Sequence, residues 1–133
     1  MAKRILLVDD ERDFVAATKL YLEEEGYEVL GAHDGHEAIA LLRDPGDLPD
    51  LIILDVRMPR LSGWDVLRMV RDDEVTREIP VIMLTAADQD ADQARGWELG
   101  VDWYQTKPVS PPELLAVLRR LLPSVEETGQ GVP

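Results

Sequence analysis

The sequence predicts a doubly wound α/β domain, in which helices cover both faces of a parallel sheet. Three short runs, at residues 5–8, 51–54 and 81–84, are apolar at every position, which is typical of strands buried on both faces. Amphipathic helical segments separate these runs, and such an alternation favours a parallel sheet. The 133 residues match the length of one domain with a single hydrophobic core.

The first helix is predicted directly after the first strand and is expected to end near Gly26, since glycine is common at helix C-termini. Its inward residues recur at helical spacing. They are Phe14, Val15, Ala17, Tyr21 and Leu22. Residues 28–32 form a second, short strand. A second helix begins after Asp34, because Glu37 three residues later makes a capping-box-like start.

The second half of the chain continues the alternation. A loop over residues 56–62 leads into a third helix, and residues 79–84 form a fourth strand. Residues 88–99 are weakly apolar and predict the loosest helix, whereas the polar residues 102–106 predict a strand at a sheet edge. Ser110, Pro111 and Glu113 supply the cap, first-turn proline and capping-box acid of a last helix. We expect one domain over residues 1–123 and a flexible tail or linker start over residues 124–133.

Composition narrows the class of function. The formal net charge of -13 repels a phosphate backbone, so this chain is not expected to bind nucleic acid directly. The absence of cysteine excludes disulfides, zinc thiolate sites and thiol nucleophiles. No apolar run has the length needed to cross a bilayer, and the first residues lack a signal-peptide core. We therefore expect a cytoplasmic protein without membrane association.

Polar residues stand where the predicted strands end. Asp9 and Asp10 follow the first strand, and Asp55 ends the central one. Thr85 and Lys107 end the last two strands. In an open parallel sheet these ends gather at one edge, where ligands bind. Three crowded carboxylates repel one another unless a cation neutralises them, and Mg²⁺ prefers such oxygen ligands.

This set of groups suits phosphoryl transfer. An aspartate can act as a nucleophile on phosphorus, and Asp55 is the residue that we expect to do so. The Lys107 ammonium and the Thr85 hydroxyl are suitable partners for phosphoryl oxygens. Each of these residues, taken singly, is more often a capping or solvated side chain. Their occurrence together at successive strand ends is what favours a site.

Several motifs follow one another in a distinctive order. They are Val8-Asp9-Asp10-Glu11, residues 49–59, Gly63, residues 80–86 and residues 100–108. Over residues 3–122 the chain resembles the CheY-like receiver domain of two-component response regulators. The resemblance implies a flavodoxin-like, three-layer (βα)5 fold with strand order 2-1-3-4-5. It also implies a phosphoprotein of phosphorelay signal transduction, which is a regulatory switch with slow self-dephosphorylation and not a turnover enzyme.

The resemblance implies a role for each acidic residue. Asp55 would accept a phosphoryl group from a histidine kinase or a histidine phosphotransfer protein, which makes it an aspartyl phosphate. Asp10 and Asp55 would bind Mg²⁺ directly, and Asp9 would bind it through water. Arg57 would contribute its backbone carbonyl to the same ion.

The resemblance extends to the surroundings of the phosphoryl group. Thr85 and Lys107 would hold its oxygens, and the Lys107–Pro108 peptide bond would be cis. Tyr104 would be the switch aromatic that moves inward as the Thr85 hydroxyl turns toward the phosphate. The predicted 88–99 helix, the last strand and the last helix would form the surface for an output domain, a partner protein or a second copy of the phosphorylated chain. Trp103 is expected to face the opposite way from Tyr104, either as an exposed contact on that surface or partly buried under a neighbouring helix.

Two alternatives stay open at this point. A haloacid-dehalogenase-like phosphatase also uses an aspartate nucleophile, Mg²⁺ and a lysine, but it requires an acid two residues after the nucleophile, where this chain has Arg57. A degenerate receiver would bind partners without being phosphorylated, although all five site residues are present here. The sequence does not identify the kinase, the stimulus or the output. DNA binding would require a further domain after Pro133.

Overall fold

The computed structural model describes residues 2–86 and 98–122 and contains a five-stranded parallel sheet. Its strands are β1 (Arg4–Val8), β2 (Glu28–Ala32), β3 (Leu51–Asp55), β4 (Val81–Ala86) and β5 (Trp103–Lys107). The strand order is β2-β1-β3-β4-β5, and all neighbouring pairs are parallel. The doubly wound flavodoxin-like fold and its strand order are therefore confirmed.

Four α-helices and a short 3-10 helix occur in the described part of the chain. They are α1 (Arg12–Glu24), α2 (Gly35–Leu42), the 3-10 helix Pro45–Asp47, α3 (Gly63–Asp72) and α4 (Pro111–Leu121). Of the helix predicted over residues 88–99, Glu98 and Leu99 are described and helical. The rest of that segment, with Trp97, and the tail predicted over residues 124–133 lie outside the described residues. None of the described helices is long and apolar enough to cross a membrane.

The last two strands lie further along the chain than predicted. The expected ranges were 79–84 and 102–106, whereas β4 ends at Ala86 and β5 ends at Lys107. Ile79 N donates to Thr76 O at 3.0 Å in a turn, and Pro80 has no N–H group for a ladder hydrogen bond. Regular pairing therefore begins at Val81.

Side-chain caps start three of the four described α-helices. Ser62 and Ser110 begin α3 and α4 with full capping boxes, the second as predicted. At α2, Asp34 accepts a hydrogen bond from Glu37 N at 2.8 Å, as expected. The Glu37 carboxylate, however, accepts from His33 N at 2.6 Å, one residue before the cap. Each cap contributes about 1 kcal/mol.

The sheet divides the hydrophobic core into two layers. Successive residues of a buried strand point to opposite faces, so Leu6 packs with α2 and α3, while Ile5 and Leu7 pack with α1 and α4. Every residue of β3 is buried, and the full burial of each leucine or isoleucine contributes roughly 1.5–3 kcal/mol. This burial on both faces makes β3 the centre of the fold.

The pattern expected for α1 is wrong at one position. Ala17 is exposed, and Thr18 is buried in its place. With 3.6 residues per turn, the inward stripe runs through Val15, Thr18 and Leu22. Threonine carries no apolar signal, and the sequence pattern therefore assigned the stripe to its neighbour.

Candidate functional site

The acidic residues at the strand ends lie close together. Asp9 directly follows β1, and Asp55 ends β3, its neighbour in the sheet. Asp9 is fully buried and Asp55 is 5% exposed, whereas Asp10 is exposed. One carboxylate oxygen from each of the three lies within 4.8 Å of the others. Within residues 2–86 and 98–122, this is the acidic group whose spacing suits a metal ion.

Backbone N–H groups fix the two buried carboxylates. Glu11 N donates to Asp9 Oδ1 at 2.9 Å, and Arg57 N donates to Asp55 Oδ1 at 3.3 Å. The second oxygen of each carboxylate, Oδ2, faces the ammonium of Lys107. Both side chains are thus oriented by the loops that follow their strands.

Gly63 allows α3 to begin against the end of β3. A Cβ atom at this position would overlap the carbonyl oxygen of Asp55 and would lie 2.9 Å from Val56 Cα. Gly63 N donates to Val56 O at 2.9 Å, which closes the loop after Asp55. This loop requires glycine, because any side chain would displace the backbone that carries Asp55.

Lys107 supplies positive charge to the acidic group. It reaches the group from β5, which adjoins β4 and is thereby two strands from β3. Its Nζ lies 2.8 Å from Asp9 Oδ2, 3.3 Å from Glu11 Oε1 and 3.5 Å from Asp55 Oδ2. It also lies 5.6 Å from the centroid of the Phe14 ring, which is within cation–π distance.

The charges of the site are unbalanced. Burial raises the pKa of Asp55 to about 7, and the charge of Asp9 adds to this effect, while Lys107 opposes it. Burial alone would lower the pKa of Lys107, but the hydrogen bond to Asp9 and the charge of Asp55 outweigh burial, so this pKa is raised. One ammonium therefore does not neutralise the carboxylates around it.

These residues fit Mg²⁺. The acidic group consists of carboxylates alone, and hard cations that prefer oxygen ligands bind such sets. A divalent cation among them would favour the ionised form of Asp55, the residue whose pKa is raised. Arg57, whose carbonyl the resemblance assigns to the ion, is exposed two residues beyond Asp55.

The other predicted site residues lie along β4 and β5. Thr85 is 1% exposed and faces Thr106 in the register of these strands. Thr85 Oγ1 has no hydrogen-bond partner among the described residues, and an unpaired buried hydroxyl costs free energy that a ligand oxygen would recover. Tyr104 is half-buried against the core layer of α2 and α3. The Lys107–Pro108 peptide bond is cis.

Trp103 is partly covered by a neighbouring helix. It is half-buried and packs against the core layer of α1 and α4, on the face opposite to Tyr104. The Arg120 guanidinium lies 5.4 Å from the centroid of its ring, and Trp103 Nε1 donates to Gln105 Oε1 at 3.4 Å. Of the two arrangements predicted for Trp103, the structure shows the partly buried one, with α4 beside the ring.

Two residues near Lys107 were not predicted as part of the site. Glu11 appeared within a motif without a role, and Phe14 was assigned to the core. Glu11 and Lys107 are 96 residues apart in the chain, so no local pattern connects them. The one available signal is that Glu11 directly follows the Asp9–Asp10 pair.

Comparison with known families identifies the kind of domain. The model of the response regulator receiver domain family matches residues 5–119, a range that includes Asp9, Asp55, Thr85 and Lys107. The chain belongs to this family. It is a receiver of two-component signal transduction, and the comparisons support a phosphorelay role and neither the phosphatase nor the phosphorylation-independent alternative.

Relatives and solved structures show the extent of the similarity. The receiver is 43% identical over 122 residues to the alkaline phosphatase synthesis transcriptional regulatory protein PhoP of Bacillus subtilis, covering 92% of this chain and 49% of that protein. It is 42% identical over 132 residues to the phosphate regulon transcriptional regulatory protein PhoB of Escherichia coli, covering 96% and 57%. The chemotaxis response regulator CheY4 of Vibrio cholerae matches with a TM-score of 0.85 and 32% identity, covering 92% of this chain and 100% of that one. The receiver spans about half the length of the curated relatives it matches.

Proposed function

We propose that Asp55 is the phosphoacceptor of this receiver. A carboxylate oxygen of Asp55 attacks the phosphorus of a phosphohistidine on a partner kinase or phosphotransfer protein. The O–P bond forms as the P–N bond breaks, and the leaving imidazole takes up a proton. Asp9 is fully buried, whereas Asp55 keeps 5% of its surface exposed to a donor. Asp10 is exposed but lies outside the ion pairs of Lys107.

We assign Mg²⁺ to the acidic group as its cofactor. Asp9, Asp10 and Asp55 would hold the ion, with the Arg57 backbone carbonyl as a further ligand. When bound, Mg²⁺ neutralises charge between the carboxylates and the incoming phosphoryl group. The contribution of the chain is the spacing of three carboxylate oxygens within 4.8 Å, before any ligand arrives.

Lys107 and Thr85 are the partners that we assign to the transferred group. The Lys107 ammonium lies 3.5 Å from Asp55 Oδ2, so a phosphoryl group on that oxygen would come within its reach. The Thr85 hydroxyl is buried and lacks a hydrogen-bond partner in the described part of the chain. A turn of this hydroxyl toward the phosphoryl group would give it the hydrogen-bond acceptor that it lacks.

Phosphorylation would be read out through β4 and β5. Thr85 and Tyr104 lie on these neighbouring strands, so a turn of the Thr85 hydroxyl toward phosphate would leave space for the Tyr104 ring. The face that we assign to an output domain, a partner or a second copy comprises residues 88–99, β5 and α4. The curated relatives are named transcriptional regulatory proteins and extend beyond the matched region. This favours an output domain that controls transcription, while the receiver, at a net charge of -13, would not contact DNA itself.

The receiver would act as a regulator and not as a turnover enzyme. It would capture one phosphoryl group and lose it slowly by hydrolysis. Phosphomonoester assays check this point, because many turnovers per second would indicate a phosphatase. The predicted cytoplasmic location stays a prediction.

The juxtaposition of the Asp9, Asp10 and Asp55 carboxylates with the Lys107 ammonium is the observation that carries the proposal. Its test is incubation with Mg²⁺ and acetyl phosphate, followed by mass-spectrometric mapping of the modified residue. We expect Mg²⁺-dependent labelling of Asp55 and none in Asp55→Asn, which keeps the volume but removes the nucleophile. Asp13→Asn, an exposed aspartate on α1, should label like the wild type. Unchanged labelling of Asp55→Asn would refute the assignment.

A further inference from the structure

Glu11 occupies the N-cap position of α1 without acting as a cap. Its backbone is extended, with φ -82 and ψ 100, and its side chain makes no capping hydrogen bond. N-cap side chains are usually short, because a short oxygen-bearing side chain can accept from the first N–H groups of the helix. The Glu11 carboxylate instead reaches across the site to Lys107, where Oε1 lies 3.3 Å from Nζ.

The carboxylates that pair with Lys107 differ in their depth. Asp55 and Asp9 are on the inner side, with side chains 6% and 0% exposed, whereas the Glu11 side chain is 67% exposed. Glu11 also stands outside the acidic group that suits a metal ion. Its carboxylate is therefore the solvent-exposed partner of the ammonium. The ammonium lies nearest to Asp9 Oδ2, at 2.8 Å, and closer to Glu11 Oε1, at 3.3 Å, than to Asp55 Oδ2, at 3.5 Å.

The surroundings of Lys107 leave room for the ammonium to move. A cavity of about 340 Å³ adjoins its side chain and is lined by Glu11, Phe14, Ala86, Lys107, Pro108 and Val109. The centroid of the Phe14 ring lies 5.6 Å from the ammonium. The ammonium can therefore keep its contact with this ring when its ion pair with Glu11 breaks. Phosphorylation adds negative charge at Asp55, the buried partner of Lys107, and none at Glu11, its exposed partner.

We propose that Glu11 is a positioning residue, which shares the Lys107 ammonium with Asp9 and Asp55 until phosphorylation of Asp55 breaks the ion pair between Glu11 and Lys107. This inference rests on the proposed function of Asp55 and Lys107. The ion pair opposes phosphorylation, because Glu11 and the phosphoryl oxygens compete for the same ammonium. Exposed ion pairs of this kind shift an equilibrium by up to about fivefold, and this is the scale of the expected effect.

The test compares Glu11→Gln with Asp13→Asn. Both substitutions remove one negative charge from an exposed side chain near the start of α1, but only Glu11 contacts Lys107 in the structure. At low ionic strength with saturating Mg²⁺ and phosphoramidate as donor, Glu11→Gln should be phosphorylated about two- to fivefold faster than the wild type. Asp13→Asn should stay close to the wild-type rate. In about 1 M salt the advantage of Glu11→Gln should largely disappear, since exposed charges are then screened.

A second readout separates positioning from a general effect of charge. The ε-methylene resonance of Lys107, assigned with a Lys107→Arg variant, is followed by NMR with and without beryllofluoride, which occupies the phosphoryl position. Glu11→Gln should shift this resonance in the Mg²⁺ form and leave it at the wild-type position in the beryllofluoride form.

The outcomes distinguish this inference from the proposed function. If Asp55 is labelled but Glu11→Gln matches Asp13→Asn in rate, or shifts the Lys107 resonance equally in both forms, the positioning role of Glu11 is overturned while the phosphoacceptor stands. If Asp55 is not labelled in any of the proteins, the proposed function itself fails.

Discussion

Replacing Asp55 with asparagine should stabilise the metal-free receiver at neutral and alkaline pH. Burial and the charge of Asp9 raise the pKa of Asp55 from 3.8 to about 7. Between these values the folded chain retains a proton that the unfolded chain releases. The stability associated with this proton is present below the unfolded pKa and is lost as pH rises through the folded one. Asparagine does not titrate, so the variant lacks this loss.

The size of the effect follows from the same pKa. The difference between 3.8 and about 7 corresponds to roughly 4 kcal/mol, at about 1.4 kcal/mol for each tenfold change in proton affinity. The attraction of Lys107 is already contained in this difference. Screening by solvent at the partly accessible rim of the site reduces the stability that the shift represents. We therefore expect the variant to be more stable by roughly 2 kcal/mol at about pH 8 and nearly equal to the wild type at about pH 4.

Urea denaturation in EDTA, repeated between about pH 4 and about pH 8, measures this difference. Fluorescence of the buried Trp64 reports unfolding. Asp13→Asn is the control for the loss of one carboxylate at an exposed position outside the site. If the difference in unfolding free energy between Asp55→Asn and the wild type is constant across this range, or if the variant is the less stable protein at about pH 8, the pKa of Asp55 is not raised by its surroundings.

Three other substitutions probe the scaffold and the site. Gly63→Ala should cost roughly 2 kcal/mol or more in urea denaturation, because the new Cβ overlaps the Asp55 carbonyl oxygen; a neutral result would mean that the loop adjusts freely. Arg71→Lys should lower the free energy of unfolding by roughly 1–3 kcal/mol, since lysine cannot reproduce the guanidinium hydrogen bonds to three backbone carbonyls and Asp102. Unchanged stability would show that these hydrogen bonds do not stabilise the fold. Lys107→Ala should keep Mg²⁺ binding, measured by fluorescence titration, while its response to phosphorylation is lost. Loss of Mg²⁺ binding in a folded Lys107→Ala protein would contradict the assignment of the ammonium to the phosphoryl group.

Local patterns were sufficient for the bounds of two strands and for three helix ends. β2 and β3 have the bounds that the sequence predicted, because an unbroken apolar run or a short run between turn residues leaves few other conformations. The cap at Ser110 depended on residues within one helical turn of each other, and such contacts are visible in sequence spacing. Gly26 ends its helix region with φ 99, a conformation that glycine adopts without a steric penalty.

Patterns failed where a position depends on distant neighbours. The sequence placed Ala17 in the buried stripe of α1, whereas the structure buries Thr18. Which of these neighbours is buried depends on the rotation of the helix about its axis against the sheet. The Arg71 side chain joins the end of α3 to Gly100 and Asp102, which are 29 and 31 residues further along the chain. Such a contact has no period and no motif, so spacing along the chain does not predict it.

For the candidate site, the residue types and their places at the strand ends were determined by the sequence alone, because parallel strands deliver their C-terminal residues to one edge. Tertiary structure decided the electrostatics. The pKa of Asp55 depends on burial and on the approach of Asp9, and the Lys107 ammonium lies within ion-pair distance of Asp9, Glu11 and Asp55, near the start and in the middle of the chain. These quantities depend on distances and solvent exposure in three dimensions, which exist only once the strands have packed side by side.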